Sequence, residues 1–213
     1  MKISPVILLV FVVLISACAP RPFRAASMYE KIDRHKMVAI IPPQVYIQLR
    51  PGQMKKISPS EHADMEQRAS AAVQEAIYNW ILRKQGRMKY SVAFQDIAVT
   101  NAKLRNENVD YTSMRAMDAK KIAALLGVDG VIDMSINTDK PMSDGAAIAI
   151  YALFGVMGST NNTTATTSIR DGASGELLWR MTLRAQGSVG SSPVQLTEMV
   201  MRRAARRFPY RMP

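Results

Sequence analysis

The stretch AALLGVDGVIDMSIN, residues 123–137, holds a change of period that decides the fold. Its first four residues close a helix expected over Ser113–Leu126, with Met114, Met117, Ile122, Leu125 and Leu126 at inward positions and Gly127 at the stop. From Gly130 to Asn137 the apolar residues instead fall in a short run suited to a strand. Upstream, Met37–Pro43 (MVAIIPP) reads as a strand buried on both faces and stopped by prolines, with Val45–Leu49 extending it beyond the break. Pro51-Gly52 marks a turn. A long helix follows over about Ser60–Gln85, with Ser60 as cap and Gly86 after its end. Met65, Ala69, Ala72, Val73, Ala76, Ile77, Trp80 and Ile81 recur at helical steps and form its core stripe. Lys89–Ile97 reads as a second strand, and Asn101–Asp110 as a polar connection. Strands alternating with helices at this spacing imply right-handed crossovers and parallel pairing.

Downstream the character changes. Thr163–Arg170 and Glu176–Gln186 are strand-like runs joined by Asp171-Gly172-Ala173-Ser174-Gly175, the composition of a hairpin turn. Thr163, Thr164, Thr166 and Thr167 suit an exposed strand face. Ser192-Pro193 opens a last helix running to about Phe208. The expected fold is therefore α/β: a mixed sheet in the order β-α-β-α-β-β-β-α, with an antiparallel hairpin in the C-terminal half and helices packed on it. Residues 37–213 form one such domain, behind a leader over 1–17 and an anchor and tether over 18–36.

The 213 residues, 48% hydrophobic and 21% charged, suffice for one core. A single cysteine excludes an intramolecular disulfide and a cysteine-based zinc cluster. His35 and His62 lack metal-ligand spacing and read as lone surface histidines; no metal or cofactor is expected. Signatures of serine hydrolases, zinc peptidases, phosphate loops and dinucleotide sites are missing, and the expectation is a non-enzyme. Asp129 and Asp133, beside or on the third strand, are the one carboxylate pair that a hydrolase could use. The net charge of +11 favours anionic surfaces, but aromatic residues interleave too thinly with the cations for nucleic-acid binding.

At the N-terminus, Met1-Lys2 precede the ten-residue apolar run Val6–Ile15, followed by the small residues Ser16 and Ala17. This has the organisation of a signal peptide and is shorter than the roughly 20 residues needed to span a bilayer. Ile15-Ser16-Ala17-Cys18 resembles the bacterial lipobox, although Leu is commoner than Ile at its first position. The resemblance implies that Cys18 is acylated, palmitate among the attached chains, and becomes the mature N-terminus. Two or three acyl chains make a stable anchor where one is marginal. Ala19, where an Asp would mark inner-membrane retention, implies the outer membrane, facing the periplasm. The tether, with Pro20 and Pro22 and an ordered part near Met28-Tyr29, would hold the domain tens of ångströms from the bilayer if extended at about 3.1 Å per residue.

Two stretches carry candidate surfaces. Ala146–Met157 (AAIAIYALFGVM) is either a buried core segment or an insertion whose Ile148, Ile150, Tyr151, Leu153 and Phe154 meet a partner, another copy or lipid. In the last helix Arg202, Arg203, Arg206 and Arg207 lie opposite Val200, Met201, Ala204, Ala205 and Phe208. They form either a solvated face that complements the helix C-terminus or a ridge for phospholipid heads, lipopolysaccharide or cell-wall polymer.

The lipobox, tether, VAIIPP strand, long helix, AALLGVDGVID junction and SIRDGASGELLWR hairpin together resemble the envelope lipoproteins that share the fold of the TolB N-terminal domain. These include the curli-secretion-channel lipoproteins and the outer-membrane activators of peptidoglycan synthases. The segment Asp171–Trp179 is the most specific part, and the resemblance spans about 37–208. It implies a protein-binding adaptor in envelope assembly, secretion or cell-wall synthesis, its partners unnamed. The alternative it implies is a self-oligomerising secretion or channel subunit.

Overall fold

The computed structural model describes residues 21–49, 51–55, 57–139, 161–187 and 193–212. The helix-to-strand junction behaves as its period change requires. Helix α6 (Ala119–Leu126) ends on Gly127 in the left-handed region, φ 65°, and strand β5 (Gly130–Asp139) follows. Because β5 is ten residues long, it takes neighbours along its whole length. The hairpin β6 (Asn161–Asp171) and β7 (Leu177–Gly187) pairs antiparallel on one side. On the other side β2 (Met37–Ile40) and β3 (Gln44–Gln48) pair parallel with its first and second halves. The three-residue break between them, Ile41 to Pro43, is set by Pro42 and Pro43, which cannot donate to a ladder. Two short strands complete the sheet, β1 (Phe23–Arg24) on β7 and β4 (Ala93–Phe94) on β2.

The mixed sheet is packed on both faces. Beneath one face lie α3 (Pro59–Gln85) and α7 (Pro193–Ala204), which bury Val73, Ile77, Trp80, Ile81, Val200, Met201 and Ala204 against Ile132, Met134, Ile169, Trp179 and Leu183. Over the start of β2 and β5, on the other face, sit α4 (Ile97–Asn106), α5 (Tyr111–Ala116) and α6, around Ala39, Ile41, Leu104, Met114, Ile122 and Val131. Val38, Ala39 and Ile40 are buried on both faces, as the continuous apolar run requires.

Several expectations are corrected. Helix α3 starts at Pro59 and is capped by Ser58, which forms a reciprocal capping box with Glu61, so Ser60 is already helical. Its stripe is interrupted: Ala72 is exposed, while Ser70 and Gln74 are buried. Their polarity serves the broken strand beside them. Ser70 Oγ donates to the Pro43 carbonyl at 2.6 Å and Gln74 Nε2 to the Ile40 carbonyl at 2.8 Å, satisfying backbone acceptors within and just before the break. The stretch expected as a polar connection is helical, because Asp96 caps α4 and only Thr100 and Leu104 need be buried. The strand expected over Lys89–Ile97 shrinks to β4, and the helix expected over Ser113–Leu126 breaks at Met117, whose backbone is extended. Strict alternation also divides the threonines of β6: Thr163 and Thr167 are buried, Thr164 and Thr166 face the other side.

The largest difference concerns the region before β2. The ordered part expected near Met28-Tyr29 is wider, since residues 23–36 fold onto the domain. Helix α1 (Met28–Ile32) buries Met28 and Ile32 in the main core. His35, expected at the surface, is 5% exposed. Its Nδ1 lies 2.7 Å from the Tyr210 hydroxyl and its Nε2 3.1 Å from Asp171 Oδ1. Burial, then the charges of Asp171 and Asp129, push the Tyr210 hydroxyl pKa well above its ordinary value. This assigns Tyr210 as donor to Nδ1 and Nε2–H as donor to Asp171. Asp171 also accepts from Ser174 N–H at 2.7 Å. Lys31 reaches over the turn to Glu176 at 2.7 Å and Asp171 at 3.7 Å. Asp129 closes the other side by accepting the N–H groups of Lys36 and Met37 at 2.8 and 2.9 Å.

Gly130 is required where this network passes β5, because a Cβ there would lie 2.9 Å from His35 Nδ1 and 3.0 Å from Tyr210 Oη. Gly130→Ala is therefore expected to cost about 1–3 kcal/mol in urea unfolding. Gly86→Ala, with nothing within 4 Å of its added carbon, should change stability by less than about 0.5 kcal/mol. For Asp171, burial raises the carboxyl pKa, but the bonds from Ser174 and His35 and the Lys31 charge outweigh it and bring it down to about 2. A depressed folded pKa contributes stability above the unfolded value that disappears as pH falls through the folded one, so about 2 kcal/mol is lost between roughly pH 4 and 2. Asp171→Asn should lower stability at pH 7 and flatten that acid limb.

Candidate functional site

Helix α7 packs its apolar face on β7, and this packing aims the opposite face outward. Arg202, Arg203 and Arg206 are exposed, while Val200, Met201, Ala204 and Ala205 are buried, as helical spacing predicts. The helix tightens into a 3₁₀ turn at Ala205–Arg207, which carries the last two arginines. All four arginines line one open recess of about 400 Å³ together with Met181 and Leu183 of β7. Arg203 Nη1 donates to the Arg184 carbonyl at 2.9 Å, which fixes the ridge against the outer strand. Glu198, one turn before the ridge, is bound to Arg83 at 2.5 Å. The Arg83 hydrogen bond, then the charges of Arg83 and Arg202, hold its carboxyl pKa below the ordinary value.

From Leu177 to Pro213 the chain holds seven arginines and a single acid, Glu198. Strand β7 pairs with β6 on one side, and on the other, among the described residues, Trp179 and Arg180 pair with β1. The ridge thus borders a sheet edge that is cationic along its length. Guanidinium groups at such an edge can bind phosphate or carboxylate oxygens in a bidentate manner.

The other sequence candidates fall elsewhere. Cys18 lies outside the described residues, as do Ile148, Ile150, Tyr151, Leu153 and Phe154. Asp129 and Asp133 are four positions apart on one strand line, roughly 13 Å, and do not form a pair. Asp129 is occupied by the two backbone N–H groups of the network, which lower its pKa. Asp133 lines a separate cleft of about 350 Å³ with Met114, Met117, Asp118 and Arg170. Burial pushes its carboxyl pKa up against the opposing charges of Arg170 and Arg180. His62 binds the Ile47 carbonyl at 2.8 Å, where it caps the outer edge of β3 together with Glu66 and Tyr111. Among the described residues no group of three or more His, Cys, Asp or Glu side chains is placed to hold a metal ion, and no helix is long and apolar enough to cross a membrane.

The sequence reading missed the His35–Asp171–Tyr210 network, because its members are 136 and 175 positions from His35. The one local signal was Asp171 at the head of the Gly-containing hairpin turn. The two carboxylates make opposite demands on the fold. Asp133→Asn is expected to leave stability at pH 7 unchanged or raised, since it removes a charge that burial disfavours. A loss above about 1 kcal/mol in urea unfolding would contradict this account of Asp133.

No known protein family matches the chain, and no curated protein matches it. Among solved structures, lipoprotein GNA1162 from Neisseria meningitidis is similar at 13% identity and TM-score 0.42, over 80% of this chain and 94% of that one. PelC from Paraburkholderia phytofirmans, solved as a dodecamer, is similar at 12% identity and TM-score 0.42, over 91% and 99%. The C-terminal domain of LpoB from Salmonella enterica gives 8% identity and TM-score 0.35, over 72% and 84%. At these scores the likenesses establish neither shared family nor shared function.

Proposed function

We propose that the chain is an exported lipoprotein, anchored through acylated Cys18, whose α/β domain is a non-enzymatic adaptor for other envelope proteins. The observation that carries this reading is the succession of Met1-Lys2, the apolar run Val6–Ile15, Ser16-Ala17 and Cys18. One cysteine, placed where lipid chemistry uses it, is accounted for without redox or packing. The adaptor reading is supported by how the described polar groups are employed. His35, Asp129 and Asp171 are each occupied by bonds that hold the fold together. Asp133 faces Arg170 and Arg180, and Asp118 in the same cleft is occupied as the cap of α6, accepting the Lys120 N–H. Ala19 favours the outer membrane, with the domain in the periplasm. Secretion, envelope assembly and cell-wall synthesis are the processes in which such an anchored adaptor serves.

Labelling with a radioactive fatty acid should mark the wild type and leave Cys18→Ala unmarked, and the unmarked protein should lose function. Crosslinking in intact cells should recover a defined envelope protein. A variant without Cys18 that works fully would contradict the anchored-adaptor reading. A stable ring of the detergent-extracted protein with no other component would favour a self-assembling secretion or channel subunit instead.

A further inference from the structure

We propose that the edge of the sheet formed by β7 and α7 lies against an anionic bilayer, with Arg202, Arg203 and Arg206 binding phospholipid head groups. This rests on the reading of Cys18 as the lipid anchor and adds to it the orientation of the domain.

The first support is the short reach of the anchor. Strand β1 pairs antiparallel with β7, Phe23 opposite Arg180 and Arg24 opposite Trp179. Strand β1 starts at Phe23, opposite Arg180, the neighbour on β7 of Met181 in the arginine recess. Cys18 is five positions before Phe23. A fully extended chain covers at most about 18 Å in five residues. An acylated Cys18 at the bilayer surface therefore keeps this edge within about two Debye lengths of the head groups at physiological salt. The tether that could have held the domain farther away is not available, because residues 23–36 are tied to the domain by β1, by the buried side chains of α1 and by His35.

The second support is charge. The α7 side of the edge carries exposed Arg202, Arg203 and Arg206, the other side of β7 exposed Arg180 and Arg184, and the incoming chain Arg21 and Arg24. Glu198, the one acid from Leu177 onward, is already bound to Arg83. The recess combines guanidinium walls with the Met181 and Leu183 side chains, a match for a phosphate head group above its glycerol and first methylenes. A single lipid-modified residue combined with a polybasic patch is a two-part membrane signal, each part strengthening the other.

The test uses the complete lipidated protein. Its one native cysteine is consumed by the lipid, so a new cysteine can be labelled selectively. An environment-sensitive dye is placed at Thr182→Cys, on the outer strand β7, or at Lys121→Cys, on α6, which packs over the start of β2 and β5 away from that edge. Each protein is reconstituted in phosphatidylglycerol–phosphatidylethanolamine vesicles that contain a head-group spin label. The Thr182 dye should be quenched several-fold more than the Lys121 dye. The contrast should vanish in phosphatidylcholine vesicles, in half-molar salt, and in R202Q/R203Q/R206Q, while every protein stays on the vesicles through its anchor. R202K/R203K/R206K, which keeps the charge, should retain the contrast and guards against misfolding of the glutamine variant. Equal quenching at both positions, or quenching untouched by the glutamine variant, would overturn the proposal. Binding of a soluble anionic polysaccharide without head-group quenching would overturn it too and assign the ridge to a polymer. If Cys18 itself takes the dye and the protein fails to float with vesicles, it is the anchor reading that fails.

Discussion

A buried imidazole holds the two ends of this domain to its middle. His35 lies between Tyr210, three residues from the end of the chain, and Asp171, the first residue of the hairpin turn. A buried polar chain of this kind is costly unless every member is satisfied. Here the phenol donates, the imidazole relays, and the carboxylate accepts from the ring and the Ser174 backbone, with the Lys31 ammonium as a nearby ion-pair partner. Asp129 adds a second clasp from β5 to the backbone of Lys36 and Met37. The consequence reaches the functional surface. Because residues 23–36 are fastened in this way, the proposed anchor at Cys18 is only five positions from the start of β1.

The sheet follows a similar economy. One long strand, β5, accepts a broken parallel partner on one side and a continuous antiparallel one on the other. Around the break at Pro42-Pro43, Ser70 and Gln74 of α3 donate to the Pro43 and Ile40 carbonyls, so these acceptors are not left bare. Outer N–H groups of β3 are met by Tyr111 and Glu66 side chains, which protects that edge from further pairing. Along β7 the protection is of another kind: charge and the Arg203 bond to the Arg184 carbonyl.

Much of this was legible in the chain. The hairpin was visible because β6 and β7 flank a turn of Asp, Gly and Ser, and the arginine ridge because helical spacing alone separates Arg202, Arg203 and Arg206 from Val200, Met201 and Ala204. Helix α4 was not, since it rests on the sheet by Thr100 and Leu104 alone, too thin a stripe for a periodic signal. The buried Ser70 and Gln74 were hidden for a different reason: their partners are carbonyls of a strand 27 and 34 positions away. His35 shows the same limit more sharply. A single histidine after a short helix carries no mark of burial, and only the meeting of three distant segments creates its site. The lipobox-like stretch that ends at Cys18, by contrast, is local and needs no fold to be read.

The central claim is that lipid, attached at Cys18, fixes where this domain works. Intact mass measurement of the membrane-extracted mature protein tests it most directly. The account predicts a chain that begins at residue 18, with the mass of a diacylglyceryl group on the cysteine sulfur. A mature chain that begins elsewhere, or that carries a free thiol at Cys18, would contradict it.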